Sequence, residues 1–430
     1  MSTIQNLGFG AHAALSVDGF CGPSPYVCST RLPIESTFGT NRAGLVPAAY
    51  ICAVEHRILN ILAEHAQITR TDLFSKTRGA FPAVVQSRLI TMDSPLKDPG
   101  QAQSGGVDRE YCPELHPLNY EWYFTPTCAH ELTEFVTVGH KQIACLGTPT
   151  VAAEICRTGQ RPPHLIDSNP AIIQRFAYFR NTTSVHIGDI RSASELGLDV
   201  DLSILDPPWY LTDTLQWITV AAQITRVDGL IAFSLFPTLI RPTAKGEREK
   251  ILDFVSGLGQ VEVMEDALHY ETPLFERETL RSVGIQDAGN WRRGDLVTVR
   301  VKRGEPKHLP YISSPKSTWE TFIIAGQVLK LRARHRSSAT GPLLLPIYGG
   351  ESYTYPAISM RDQRRNQIDI WTSRNRVARV GDFSAVSKIL RELENGTSLS
   401  KAIQLGCPHP QSADAVNLTE VSFRKLLSQD

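Results

Sequence analysis

The chain has 430 residues, 42% of them apolar and 20% charged, the balance of an ordinary globular protein of two or three domains. No run of about 18 apolar residues is present, which argues against a transmembrane helix, and residues 1–30 lack the basic start and apolar block of a signal peptide. The net charge is zero but unevenly spread. Residues 301–430 carry 19 Lys and Arg against 11 Asp and Glu, a net +8, and residues 1–300 carry 25 against 33, a net −8. The basic C-terminal part is read as a candidate nucleic-acid partner surface, with a merely solvated basic face as the alternative.

In chain order, residues 1–42 are rich in Gly, Ser and Pro without periodicity and are read as an irregular leader. From Ala48 the pattern turns helical, with Ile51, Val54, Ile58 and Ile61 predicted on one face. Two shorter helices follow in "TRTDLFSKT" and "AFPAVVQSRLITM", so 43–95 is read as a helical module of helix-turn-helix or winged-helix type. Residues 93–110 have linker composition.

Residues 120–303 alternate strand and helix signals. Strands are predicted at 141–146, 164–167, 184–190, 201–205, 229–237, 260–265 and 295–302, with helices at "TVAAEICRTG" and "NPAIIQRFAYFR". Continuous apolar strands separated by helices predict an α/β, Rossmann-like, doubly wound and mostly parallel sheet, which binds ligands beyond the carboxyl ends of its strands. Residues 304–430 read as a small, basic α+β domain. It has a hairpin turning at Ala325–Gly326, a second strand pair in "NQIDIWTSRNRVARV", and helices in "FSAVSKILRELENG" and "LTEVSFRKLLSQ". In "KLRARHR", Lys330, Arg332, Arg334 and Arg336 alternate, which predicts one positive face of a strand.

The chemistry gathers at the strand ends. The first strand ends at Gly147, the second at Asp167, the third at Asp189 and the fourth at Asp206. A Gly permits a tight turn and close ligand approach. An acid about 20 residues later suits ribose hydroxyls. One such acid would read as a turn former, whereas a series delivered to one sheet edge reads as a site. The fourth strand runs into "DPPWY", Asp206 to Tyr210. Two prolines fix the backbone so that a carboxylate, a carbonyl and an aromatic ring point in set directions; the alternative is a rigid turn with a packed Trp. His164 and His186 read as core or edge histidines and Cys145 as a small apolar residue. The eight cysteines form no CxxC or CxxH pair, so no zinc site or disulfide framework is expected, and the chain reads as cytoplasmic with reduced thiols.

Over residues 122–302 this order resembles class I S-adenosylmethionine-dependent methyltransferases. "DPPW" at 206–209 resembles the signature of amino methyltransferases acting on adenine N6, placed after the cofactor loop as in the bacterial adenine and glutamine-type enzymes. "FTPTCAHELTEFV" at 124–136 resembles the Thr-Pro segment of DNA adenine methyltransferases. The resemblance implies S-adenosyl-L-methionine as cofactor, held by Thr125, Pro126, Gly147, Thr148, Asp167, Asp189 and Ile190. It implies an acceptor amine held by the Asp206 carboxylate and the Pro207 carbonyl, with Pro208 for rigidity and Trp209 or Tyr210 to stack on a base, and it requires no metal. The loop "LGTPT" is glycine-poor for that family. Bacterial branched-chain polyamine synthases, which move aminopropyl groups from decarboxylated S-adenosylmethionine, show a similar domain order and a DPP-aromatic motif. They carry acids in the first loop where this chain has Thr148-Pro149-Thr150. A non-catalytic nucleotide- or nucleic-acid-binding protein on the same fold is the third reading.

Overall fold

The computed structural model describes residues 47–65, 67–92, 114–119, 121–159, 162–169, 172, 176, 183–282, 284–302, 319–332, 343–345, 347, 363–407 and 413–427. The expected leader, the linker at 93–110, most of the helix at 169–180, and Arg334 and Arg336 lie outside the described residues. Glu35–Asp430 forms one compact unit.

The N-terminal helices are α1 (Ala48–Glu64), α2 (Arg70–Lys76) and α3 (Pro82–Thr91). The Thr69 hydroxyl accepts from the Asp72 N–H and starts α2, and Pro82 sits in the first turn of α3, where a missing N–H costs nothing. The buried stripe of α1 is Tyr50, Val54, Ile58 and Ile61. Tyr50 takes the place expected of Ile51 because its hydroxyl donates to the Leu239 carbonyl at 2.7 Å. This face packs on Leu280, Ile285 and Trp291 of the central domain.

The central domain begins with α4 (Pro126–Thr137), followed by β1 (Ile143–Leu146), α5 (Pro149–Arg157), β2 (His164–Asp167) and β3 (Ser184–Ile187). A 3-10 turn (Ile190–Leu196), β4 (Val200–Leu205), α6 (Leu211–Ile224) and β5 (Thr225–Leu235) come next. The domain closes with α7 (Ala244–Ser256), β6 (Gly259–His269), α8 (Leu274–Ser282) and β7 (Arg293–Val301). The sheet order is β3-β2-β1-β4-β5-β7-β6. The first five strands are parallel, as expected of a doubly wound domain, and β7 runs antiparallel between β5 and β6. The chain order reverses on either side of β1 and β4, which opens the crevice where such sheets bind ligands. β1 and β4 are buried at every position, hence their unbroken apolar runs, whereas β3 and β6 are edge strands with exposed positions.

The C-terminal layer holds β8 (Trp319–Ile324), β9 (Gln327–Arg332), β10 (Leu344–Leu345), β11 (Ile370–Thr372) and β12 (Val377–Val380). They form an antiparallel sheet in the order β10-β12-β11-β9-β8. Helices α9 (Phe383–Glu394), α10 (Leu399–Gly406) and α11 (Ala413–Leu427) supply Ile389, Leu390, Ile403 and Phe423 to its core. The β8–β9 turn falls at Ala325 and Gly326, both left-handed at φ 49° and 83°, the tight turn that suits a two-residue hairpin.

Segment 114–124 ties this layer to the central sheet. Glu114 accepts from Ser373 Oγ at 2.5 Å and from Arg374 Nη2 at 3.0 Å. Burial, and then the Lys330 charge, keep His116 neutral; its Nδ1 accepts from the Leu118 N–H at 3.1 Å, so Nε2 donates to the Trp371 carbonyl at 2.9 Å. Lys330 donates to Asn119, and Arg332 lies 4.5 Å over the Trp319 ring. The described part of the alternating basic run is thus engaged within the fold. Alternation places these residues on one face of β9, where Lys330 meets Asn119 and Arg332 donates to the Arg365 and Asn366 carbonyls. No helix among the described residues is long and apolar enough to cross a membrane.

Candidate active site

The carboxyl ends of β1 to β4 meet at one cavity of about 230 Å³. Of the residues singled out in the sequence, Gly147, Asp167, Asp189, Ile190, Asp206, Pro207, Pro208 and Trp209 line it. Thr125, Pro126, Thr148 and Tyr210 are not among its lining residues, a correction with a common cause: they are helix-starting residues. Thr125 Oγ1 accepts the Cys128 N–H at 3.2 Å and Pro126 follows in the first turn of α4. Thr148 is the buried N-cap of α5, before Pro149, and Tyr210 is the N-cap of α6, its ring beneath the Arg241 guanidinium at 5.5 Å. The wall expected from the Thr-Pro segment is supplied just upstream by Glu121, Trp122 and Tyr123. They are held there by the Thr125 N–H to the His269 carbonyl and the Glu271 N–H to the Tyr123 carbonyl, both 2.9 Å.

Gly147 has φ +63°, and a Cβ there would lie 2.7 Å from Trp217 Cη2. Only glycine makes this turn with the indole in place. Pro149 occupies the first turn of α5 and lines the cavity, so its missing N–H is one the helix does not use.

Asp206 is the best supported side chain in the cavity. Its Oδ1 accepts from Ser234 Oγ and from the Tyr270 hydroxyl at 2.9 Å, and Trp209 Nε1 donates to Ser234 Oγ at 3.3 Å. Among the described residues no donor reaches Oδ2. Burial pushes the Asp206 carboxyl up to about 6, against the hydrogen bonds of Ser234 and Tyr270 and the charge of Arg292. The adjoining turn divides its carbonyls. That of Pro208 accepts the Tyr210 N–H at 2.6 Å and Thr214 Oγ1 at 3.3 Å, while that of Pro207 has no partner among the described residues. Trp209 is 7% exposed, edge-on to Tyr270 at 5.4 Å, with the Arg292 guanidinium 3.9 Å over its ring. It serves as a fixed wall and not as an open stacking platform.

The other end of the cavity pairs two acids. Burial pushes Asp167 up to about 6, against the N–H groups of Asn169 and Ser168. Burial and then the Asp167 charge push Glu121 up to about 8, against Lys330, Asn119 and Asn169. Both acids therefore resist ionisation in this end of the cavity, Glu121 more strongly because of the Asp167 charge. Asp189 differs: partial burial opposes its ionisation, and the hydrogen bonds and charge of Arg191 outweigh that and hold its carboxyl low. Its Oδ1 takes Arg191 Nε at 2.7 Å and Arg191 N at 3.0 Å, so it caps the following turn as well as lining the cavity. His164 and His186 stack on each other at 5.9 Å in β2 and β3, and Cys145 is buried in β1.

Ser234, Tyr270, Arg292, Glu121 and Trp122 had not been singled out in the sequence. Tyr270 just follows β6, Arg292 just precedes β7, and Ser234 is the penultimate residue of β5, so the relevant signal was polar residues at the ends of the later strands.

No family model matches the chain, and no curated protein matches it in sequence. Among solved structures, it is similar to the branched-chain polyamine synthase from Thermus thermophilus in complex with N4-aminopropylspermidine and 5′-methylthioadenosine. The TM-score is 0.50 at 12% identity, over 64% of this chain and 93% of that one. A mutein of the same synthase is similar at a TM-score of 0.49 and 13% identity, over 61% and 90%. An N-methyltransferase from Bradyrhizobium japonicum WM9, in complex with S-adenosyl-L-homocysteine, is similar at a TM-score of 0.29 and 12% identity, over 40% and 86%. At these identities the likeness is one of fold alone, that of the Rossmann-like sheet.

Proposed function

We propose that this chain transfers the methyl group of S-adenosylmethionine to an amine nitrogen, with adenine N6 in nucleic acid as the acceptor. The observation that carries the reading is the pair of acceptors on consecutive residues, Asp206 Oδ2 and the Pro207 carbonyl, that have no partner among the described residues, beside a Pro208 carbonyl that is already engaged. Two acceptors suit the two N–H groups of a primary amine. By drawing those hydrogens toward themselves they favour a pyramidal nitrogen whose lone pair is no longer spread into the ring. Pro207, Pro208 and the Ser234–Tyr270 bonds to Asp206 hold both acceptors before the acceptor arrives. Asp206 is also placed to take the proton the nitrogen sheds.

At the other end, Gly147 lets a ligand approach the backbone, and the Glu121 and Asp167 carboxyl groups that line the cavity match a vicinal diol such as that of a ribose. Bound there, S-adenosylmethionine supplies an electrophilic methyl group. The net +8 of residues 301–430 supports a nucleic-acid acceptor, with the base extruded or already single-stranded. Cytoplasmic location remains part of this reading.

A second reading, aminopropyl transfer to a polyamine, is favoured by the fold likeness to the polyamine synthase, which covers 93% of that chain. The buried Arg292 in the acceptor half opposes a polycation there. The two readings separate on the nucleoside released. Given either S-adenosylmethionine or its decarboxylated form and a mixture of single-stranded oligonucleotides and spermidine, the protein is expected to release S-adenosylhomocysteine from the first and nothing from the second. Chromatography showing 5′-methylthioadenosine from the decarboxylated donor alone would replace methyl transfer by aminopropyl transfer.

A further inference from the structure

Arg292 stands just before β7, its carbonyl accepting the Tyr270 N–H at 3.1 Å and its side chain lining the acceptor half of the cavity. The guanidinium lies 3.9 Å from the Trp209 ring centre and 4.4 Å from that of Trp122. The two indoles flank it. Trp122 is braced in turn edge-on by Trp291 at 5.8 Å, and Trp209 by Tyr270. Among the described residues no acceptor takes a hydrogen bond from this guanidinium, no carboxylate lies within ion-pair distance of it, and its Nε is buried without a partner.

An oriented guanidinium with its donors unspent is an unusual thing to bury. A cation removed from water is costly unless paired, and stacking on aromatic rings offsets only part of that cost. Burial accordingly lowers the Arg292 pKa, and Tyr270, Glu276, Asp206 and Tyr210 oppose this only from a distance. None of the surrounding acids pairs with the guanidinium, and Asp206 keeps only its Oδ2 free of a donor among the described residues. Asp206 Oδ1 is held by Ser234 and Tyr270, Asp189 by Arg191, Asp167 by two backbone N–H groups, and burial pushes Glu276 up to about 7. What the planar fork of an arginine matches is a planar or tetrahedral oxyanion gripped by two parallel N–H bonds.

We propose that Arg292, clamped between Trp122 and Trp209, is the seat of an oxyanion, a carboxylate or a phosphate, carried by a molecule bound in the cavity. The seat stands on these side chains alone. Only its assignment to a donor's amino-acid carboxylate or to an acceptor's phosphate rests on the transferase reading above.

The test is Arg292→Met, which keeps an unbranched apolar stem between the indoles and removes the fork, with Arg292→Lys as a second variant that keeps the charge. Two ligand pairs are titrated by calorimetry: S-adenosylhomocysteine against 5′-methylthioadenosine, and adenosine 5′-monophosphate against adenosine. The wild type is expected to bind the oxyanion-bearing member of one pair at least about tenfold more tightly than Arg292→Met does, a loss on the scale of one charge-assisted hydrogen bond, and the member without an oxyanion equally. Arg292→Lys should fall between them. A loss confined to S-adenosylhomocysteine assigns the seat to the donor, and one confined to the nucleotide assigns it to the acceptor. Failure of the wild type to bind either adenosyl-thioether would sink the transferase reading but not the seat. The seat is tested separately by titrating inorganic phosphate against tryptophan emission, since two of the clamping rings are indoles. A phosphate response in the wild type that is lost in Arg292→Met, or in Arg292→Lys should the Met variant not fold, supports the seat. Equal responses, together with equal affinities across both pairs, overturn it.

Discussion

Asp206→Asn is expected to lower kcat by about a thousandfold or more, some 4 kcal/mol of transition-state stabilisation, while cofactor affinity changes by no more than about twofold. The side chain is nearly isosteric, so Ser234 and Tyr270 keep an acceptor oxygen in place of Oδ1 and the fold is not left with orphaned donors. In the proposed reaction this removes the negative charge that faces the amine and the site that accepts its proton. The pH dependence carries the same assignment. The amine must meet an ionised carboxylate, and burial has pushed Asp206 up to about 6. The rate should therefore fall as pH drops through about 6 and level off above it. Tyr270→Phe and Ser234→Ala each remove a donor that favours the ionised form, so each should move that midpoint upward and cost roughly tenfold in rate. Steady-state kinetics between about pH 5 and pH 9, with calorimetry on S-adenosylhomocysteine, checks both parts. A wild-type rate in Asp206→Asn would remove Asp206 from the chemistry.

Gly147→Val is expected to weaken cofactor binding by on the order of a hundredfold, about 3 kcal/mol, and to lower the melting temperature as well. Two causes add. A β-branched residue at φ +63° is strained, and its Cβ would stand 2.7 Å and 2.8 Å from Cη2 and Cζ3 of Trp217, itself a wall of the cavity. The ring must move, and the surface the ligand rests on moves with it. Gly159 provides the control. Its φ is +68°, yet nothing lies within 4 Å of a Cβ built there. Gly159→Ala should cost about 1 kcal/mol in stability and leave affinity unchanged. Calorimetry and thermal unfolding of the two variants separate loop strain from pocket geometry; equal affinity losses in both would show that Gly147 has no special place at the ligand.

The parts legible in the sequence were those whose signal is local. Strand ends at Gly147, Asp167 and Asp206 are punctuated by residues that stop a run of apolar side chains. The Ala325–Gly326 turn is set by which residues tolerate a left-handed backbone. The rest depends on convergence. Ser234 and Tyr270 reach Asp206 from 28 and 64 residues away, and Trp122 meets Trp209 only because Arg292 lies between them. No periodicity encodes such meetings. Lys330 and Arg332 alternate on one face of a strand as expected, yet the partner Lys330 finds there, Asn119, lies more than two hundred residues away. Thr125, Thr148 and Tyr210 show the converse. Helix-starting residues beside a ligand loop look like ligand residues in a sequence, because the same turn brings both to the sheet edge.

The central claim is that the turn from Asp206 to Trp209 presents an amine nitrogen to a methyl donor. The direct measurement is transfer of methyl label from S-adenosylmethionine to single-stranded DNA and RNA, followed by digestion to nucleosides and mass spectrometry, with wild-type protein and Asp206→Asn in parallel. The account predicts label in N6-methyladenosine or its deoxy counterpart with the wild type and none with the variant. Label on carbon or oxygen, or equal label from both proteins, would contradict it.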